Sequence, residues 1–143
     1  MFKKILLPVD QPDYDEQTLQ VVKDLALKYN SELVIFNSQD ISPNVYWVND
    51  PIVMERIPTT TEDYSRDIVK KVAEFFEGTS LKITEFTSTG DPASEILHLL
   101  DKDDAIDLVI MATHGMKASK RFLLGSVTNK VVHHAKVPVL VMR

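Results

Sequence analysis

The chain has 143 residues, 44% of them hydrophobic and 26% charged, with a formal net charge of −5 and no cysteine. That length fits a single domain, 1–143, able to bury about 68–70% of its unfolded surface without a disulfide or structural metal. Disulfides and thiol catalysis are excluded, and so is the basic face that a nucleic-acid surface requires.

The opening MFKKILLPVD has two lysines and only a short apolar run. It lacks the longer apolar stretch and cleavage site of a signal peptide, and no segment reaches the length of a membrane span. The expectation is a cytoplasmic protein with no membrane or nucleic-acid partner. Lys4–Val9 reads as a buried strand, and Asp15–Tyr29 as a helix with Leu19, Val22, Leu25, Ala26 and Tyr29 inward. A second buried strand follows at Glu32–Phe36. The stretch Asp40–Thr60 carries Pro43, Pro51, Pro58, Tyr46, Trp47 and Val48 and reads as a long irregular loop, either a lid, a partner surface or a packed flap. A helix over Thr61–Phe76, capped by its threonines, turns Tyr64, Ile68, Val72, Phe75 and Phe76 inward. Lys82–Ser88 alternates less cleanly and reads as a strand nearer an edge. Asp91 caps a helix over Pro92–Leu100 that buries Ile96, Leu97 and Leu100. The strand Leu108–Met111, a helix over Ser126–Ala135 (Val127, Val131, Val132 and Ala135 inward) and the strand Val137–Met142 complete the chain.

Continuous apolar strands are buried on both faces, as in a parallel sheet. The alternation of strand and helix therefore predicts an α/β three-layer sandwich: a five-stranded parallel sheet, order 3-2-1-4-5, with helices on both faces. Pro138 marks the last strand as an edge. Pairing with a second copy would cover that edge.

The chemistry gathers at strand ends. After Leu108–Met111 come the small residues Ala112, Thr113, His114 and Gly115, nine further residues, and then Gly125 and Ser126 opening a helix. A small-residue turn at the carboxyl end of a parallel strand, together with a helix start, supplies N–H groups for a phosphate. Taken singly, Gly115 is a turn residue, and Gly125-Ser126 is a helix entry with Ser126 as N-cap. Pro8-Val9-Asp10 ends the first strand, and the stated strand order puts Asp10 on the same crevice. There Asp10 either bonds a ribose hydroxyl or helps hold a hydrated Mg²⁺; the alternative is a turn or cap residue. No P-loop, dinucleotide fingerprint or nucleophile elbow is present. Lys117, Lys120 and Arg121 screen phosphate or form a solvated face, His98 reads as a surface residue, and His133-His134 lack a third metal ligand.

The opening KKILLPVD, the segment DLVIM, the Gly125-Ser126-Val127-Thr128 run nine residues after Gly115, and the ending VVHHAKVPVLVMR together resemble the universal stress protein family over essentially the whole chain. The family's nucleotide-binding members show G-x-x-G, nine residues, then G-[ST]; here Ala112 stands at the first glycine. The resemblance implies a Rossmann-like, adenine-nucleotide alpha-hydrolase-like fold that binds ATP, AMP or ADP, with Mg²⁺ where the phosphates carry it, and a homodimer through Val137–Met142. It places Asp10 at the ribose and Ser38 at the adenine. Thr113, His114 and Gly115 fall in one phosphate loop, and Gly125, Ser126, Val127 and Thr128 in the other. Pro8, Val9, Met111 and Ala112 complete the expected binding set, with no catalytic or metal residue assigned. Three functions follow: a stress-response nucleotide sensor or regulator, a slow ATPase using Asp10 or His114, or a dimeric scaffold with a degenerate site.

Overall fold

A computed structural model of the protein describes residues 1–40, 51–113 and 124–143, with only the backbone described over 51–61. The order is β1 (Lys4–Pro8), α1 (Glu16–Tyr29), β2 (Glu32–Gln39), α2 (Pro51–Ala73), a 3-10 turn (Glu74–Phe76), β3 (Lys82–Thr89), α3 (Pro92–Lys102), β4 (Leu108–Ala112), α4 (Ser126–His134) and β5 (Val139–Met142). The strands form one five-stranded sheet in the order β3-β2-β1-β4-β5, parallel at every pairing. This is the α/β three-layer architecture expected from the strand and helix pattern.

The alternation of side chains along a strand divides the core in two. Ile5, Leu7, Leu33, Ile35, Leu108 and Ile110 face one way and pack with Leu19 and Val22 of α1 and Ile68 and Val72 of α2. Leu6, Val34, Phe36, Val109 and Met111 face the other way, against Ile96 of α3 and Val131 of α4. Asp15 caps α1 by accepting the Thr18 N–H at 2.8 Å, and Asn30 closes it in the left-handed conformation at φ 53°. Asp91 caps α3 through the Ser94 N–H at 2.9 Å, with Pro92 in the first turn, where it has no hydrogen bond to lose.

Several boundaries differ from the sequence expectation. The helix expected from Thr61 begins at Pro51, so 51–60, expected to be irregular, are helical. Pro51 sits in a first turn that tolerates it. Helical spacing also runs back from Ile68 through Ser65 and Thr61 to Ile57. Pro43, Tyr46, Trp47 and Val48 lie outside the described residues. Tyr64 is 50% exposed; Ser65, at 1%, takes the inward position because Asn37 satisfies its hydroxyl. Val132 is exposed and Thr128 buried instead, since the Thr128 hydroxyl donates to the Ala112 carbonyl at 2.9 Å. The last strand begins at Val139 rather than Val137.

Charges collect at the amino ends of the strands. Lys4 Nζ meets Asp103 at 2.6 Å, and that hydrogen bond lowers the Asp103 pKa and raises that of Lys4. The Asp107 carboxylate accepts the Lys3 and Lys4 backbone N–H groups. The carboxyl ends are left to the site.

Candidate nucleotide-binding site

β1 and β4 are neighbours in the sheet, but the chain leaves them in opposite directions, to β2 and to β5. At such a switch point the connections diverge and leave a crevice beyond the strand ends. A cavity of about 490 Å³ lies there, within the range that holds a small-molecule ligand. Of the residues expected from the sequence, Pro8, Val9, Asp10, Ser38, Met111, Ala112, Thr113, Gly125, Ser126, Val127 and Thr128 all line it. His114 and Gly115 lie outside the described residues, as do Lys117, Lys120 and Arg121.

Part of the lining is apolar. Phe36 from β2, Ile96 from α3 and Met111 from β4, which pack together on one face of the sheet, line the cavity. Beside it, the backbone of β2 runs on past the end of β1. The Val9 N–H donates to the Phe36 carbonyl at 2.8 Å, and the Gly90 N–H donates to the Gln39 carbonyl at 3.0 Å. Backbone groups alternate between neighbours along a strand, so those of Ser38 face the β1 side. The Val9 carbonyl that would have taken the Ser38 N–H is taken by Asn37 Nδ2 at 2.7 Å. Among the described residues the Ser38 N–H toward β1 is thereby left open to the crevice, while its hydroxyl is committed to the Gly90 carbonyl at 2.9 Å.

The start of α4 also lines the cavity. Gly125, not Ser126, is the N-cap of α4, and among the described residues no side chain caps the helix. The Gly125 N–H is already used, donating to the Thr113 carbonyl at 2.9 Å. The N–H groups left over for an anion are therefore those of Ser126, Val127 and Thr128 in the first turn, at the positive end of the helix dipole. Ala112 lies in extended β4, and Asn30 is the one positive-φ non-glycine among the described residues. Alanine in place of the motif's first glycine therefore causes no backbone strain. Gly125 likewise has φ −58°, and among the described residues a Cβ there would meet only the Thr113 carbonyl, at 3.4 Å, an ordinary contact.

Asp10 stands exposed at the cavity edge and makes no hydrogen bond or ion pair among the described residues. Sequence reasoning missed Tyr14, Phe36, Gln39, Asp40, Pro92 and Ile96, which also line the cavity. Phe36, Pro92 and Ile96 look like core and cap residues in the sequence, and only the topology turns them toward a ligand. Tyr14 gave no signal, since its partner is Ala112, far along the chain: its hydroxyl accepts the Ala112 N–H at 3.1 Å. Burial, with smaller contributions from the Asp10 and Asp15 charges, pushes the Tyr14 hydroxyl up to about 12 against the lowering effect of the Ala112 bond. Among the described residues no cluster of three or more His, Asp or Glu side chains could hold a metal ion, and no helix is long and apolar enough to cross a membrane.

A profile of the universal stress protein family matches residues 1–143. The chain belongs to the universal stress protein family. It is 31% identical over 143 residues to universal stress protein MJ0531 of Methanocaldococcus jannaschii, covering 100% of this chain and 83% of that relative. In structure it resembles universal stress protein UspA from Lactobacillus plantarum, at a TM-score of 0.79 and 24% identity, over 99% of this chain and 98% of that one. It also resembles a universal stress protein in complex with cAMP, at a TM-score of 0.69 and 17% identity, over 99% of this chain and 97% of that one. Further neighbours of this fold were solved with dAMP, from Archaeoglobus fulgidus, and with AMP, from Arabidopsis thaliana. At such identities these likenesses show the fold.

Proposed function

We propose that the chain is an adenine-nucleotide-binding universal stress protein, acting in the cytoplasm as a nucleotide-dependent sensor or regulator in the stress response. The observation that carries this reading is what one cavity at the switch point brings together. Apolar side chains, the backbone of Ser38, the first-turn amides of α4 and the carboxylate of Asp10 all line it. The base lies against Phe36, Ile96 and Met111 and pairs with the Ser38 main chain. Asp10 accepts from a ribose hydroxyl, and the amides of Ser126 to Thr128 take the phosphates. The family neighbours that hold cAMP, dAMP and AMP support an adenine nucleotide as the ligand.

Where the ligand is ATP, Mg²⁺ arrives on its phosphates and needs only one or two carboxylates from the protein. Asp10 and Asp40 line the cavity and fit that requirement. The reading is one of occupancy: a nucleotide that prefers one arrangement of the segments flanking the cavity shifts the surface a partner meets. A homodimer through β5 belongs to the same reading.

Asp10→Ala tests the ribose assignment by isothermal titration. The variant is expected to bind ATP and AMP roughly tenfold more weakly, the loss of one hydrogen bond to a charged group. It should bind inorganic phosphate as the wild type does. Equal losses for nucleotide and phosphate would remove Asp10 from the ribose.

A further inference from the structure

Tyr14 follows Asp10 by four residues, in the turn that leads from β1 into α1. Its hydroxyl reaches across the switch point to accept the Ala112 N–H at 3.1 Å, which ties the turn after β1 to the end of β4. A phenolic oxygen that accepts one hydrogen bond still has a proton to donate. Among the described residues nothing takes that proton, and Tyr14 lines the cavity with Asp10, Ala112 and Thr113.

The end of β4 is also where the first turn of α4 is anchored. Thr128 Oγ1 donates to the Ala112 carbonyl at 2.9 Å, and the Gly125 N–H donates to the Thr113 carbonyl at 2.9 Å. The Tyr14 hydroxyl and the first turn of α4 are therefore tied to the same residue, Ala112, and line one cavity. Resting on the adenine-nucleotide reading, we propose that Tyr14 is a ligand-contacting, specificity-determining residue that donates its hydroxyl proton to a phosphoryl oxygen of the bound nucleotide. With its pKa raised to about 12, the hydroxyl stays protonated at neutral pH and remains a donor. The bond to Ala112 holds it in place before the ligand arrives, so little side-chain freedom is lost on binding. It also gives the Ala112 N–H a partner within the protein, so the phosphate is met by a side chain where the backbone amide is already engaged.

The test is isothermal titration of AMP and adenosine into wild type and Tyr14→Phe, with folding checked by circular dichroism. The variant should bind AMP roughly tenfold more weakly and adenosine within about twofold of wild type, because only AMP carries the acceptor. Unchanged AMP affinity, or an equal loss for both ligands, would overturn the proposal; the second result would make Tyr14 a purely structural tie. Wild type that binds neither ligand would overturn the adenine-nucleotide reading itself, a failure distinguishable from the other two. Should Tyr14→Phe not fold, 3-fluorotyrosine placed at position 14 alone reports by ¹⁹F NMR. Its line should move on adding AMP and stay with adenosine; a line unmoved by bound AMP would overturn the assignment.

Discussion

Asn37 does two things with one side chain. Its Nδ2 donates to the Val9 carbonyl at 2.7 Å, and its Oδ1 accepts from the Ser65 hydroxyl of α2 at 2.6 Å. At 2% exposure, neither group has water as a substitute. Asn37→Leu keeps the size but strands the Val9 carbonyl and the Ser65 hydroxyl. It is expected to cost roughly 2 kcal/mol, measured as a lower urea midpoint, because unpaired buried groups lose their full solvation. The double variant Asn37→Leu/Ser65→Ala should recover part of that loss, and a single variant within about 0.5 kcal/mol of wild type would contradict the account. This scale also shows what a sequence conceals. Asp10 and Ser126 were legible because a carboxylate or a helix-opening serine at a strand end suggests its own chemistry. Asn37 and Tyr14 were not, since each acts through a residue fixed only by the fold: Asn37 through the carbonyl left where β1 stops, Tyr14 through an amide of β4.

The elements were legible where a single period dominated. β1, β2 and β4 are apolar at nearly every position and were recognised as doubly buried strands. The start of α2 was not legible because two prolines and three threonines suggest a loop; Pro51, in the first turn, has no hydrogen bond to break, whereas Pro58 lies within the helix and contributes no N–H to it. The edge character of β5 was also readable, from Pro138. The Pro138 and Met142 carbonyls accept from Val109 of β4 and from Thr113 just beyond it. By alternation, the backbone groups of Val139 and Val141 point to the open edge. If β5 pairs with its twin across a two-fold axis, Val141→Pro removes an outward donor while leaving the β4 ladder intact. The variant should be a folded monomer where the wild type is a dimer, by size-exclusion chromatography with light scattering. A dimer that persists with unchanged mass would put the interface elsewhere.

For the whole molecule, the strand order follows from right-handed crossovers, and the crevice follows from the strand order. That is why eleven of the cavity-lining residues are legible from separate stretches of the chain, while Phe36 and Ile96 are not. In the sequence those residues are indistinguishable from core. The same topology separates functions by end: the ion pairs of Lys4, Glu32 and Asp103 brace the amino ends of the strands, and the carboxyl ends are left for a ligand.

The central claim, an adenine-nucleotide site at the switch point, is tested most directly by thermal unfolding of the nucleotide-stripped protein with AMP, with ATP and Mg²⁺, and with GTP as the control. A nucleotide at 100 times its Kd stabilises the folded state by roughly 2.7 kcal/mol, which raises Tm by several degrees in a domain of this size. The account predicts that rise with the adenine nucleotides and a much smaller one with GTP. An unchanged Tm with every adenine nucleotide at millimolar concentration would contradict it.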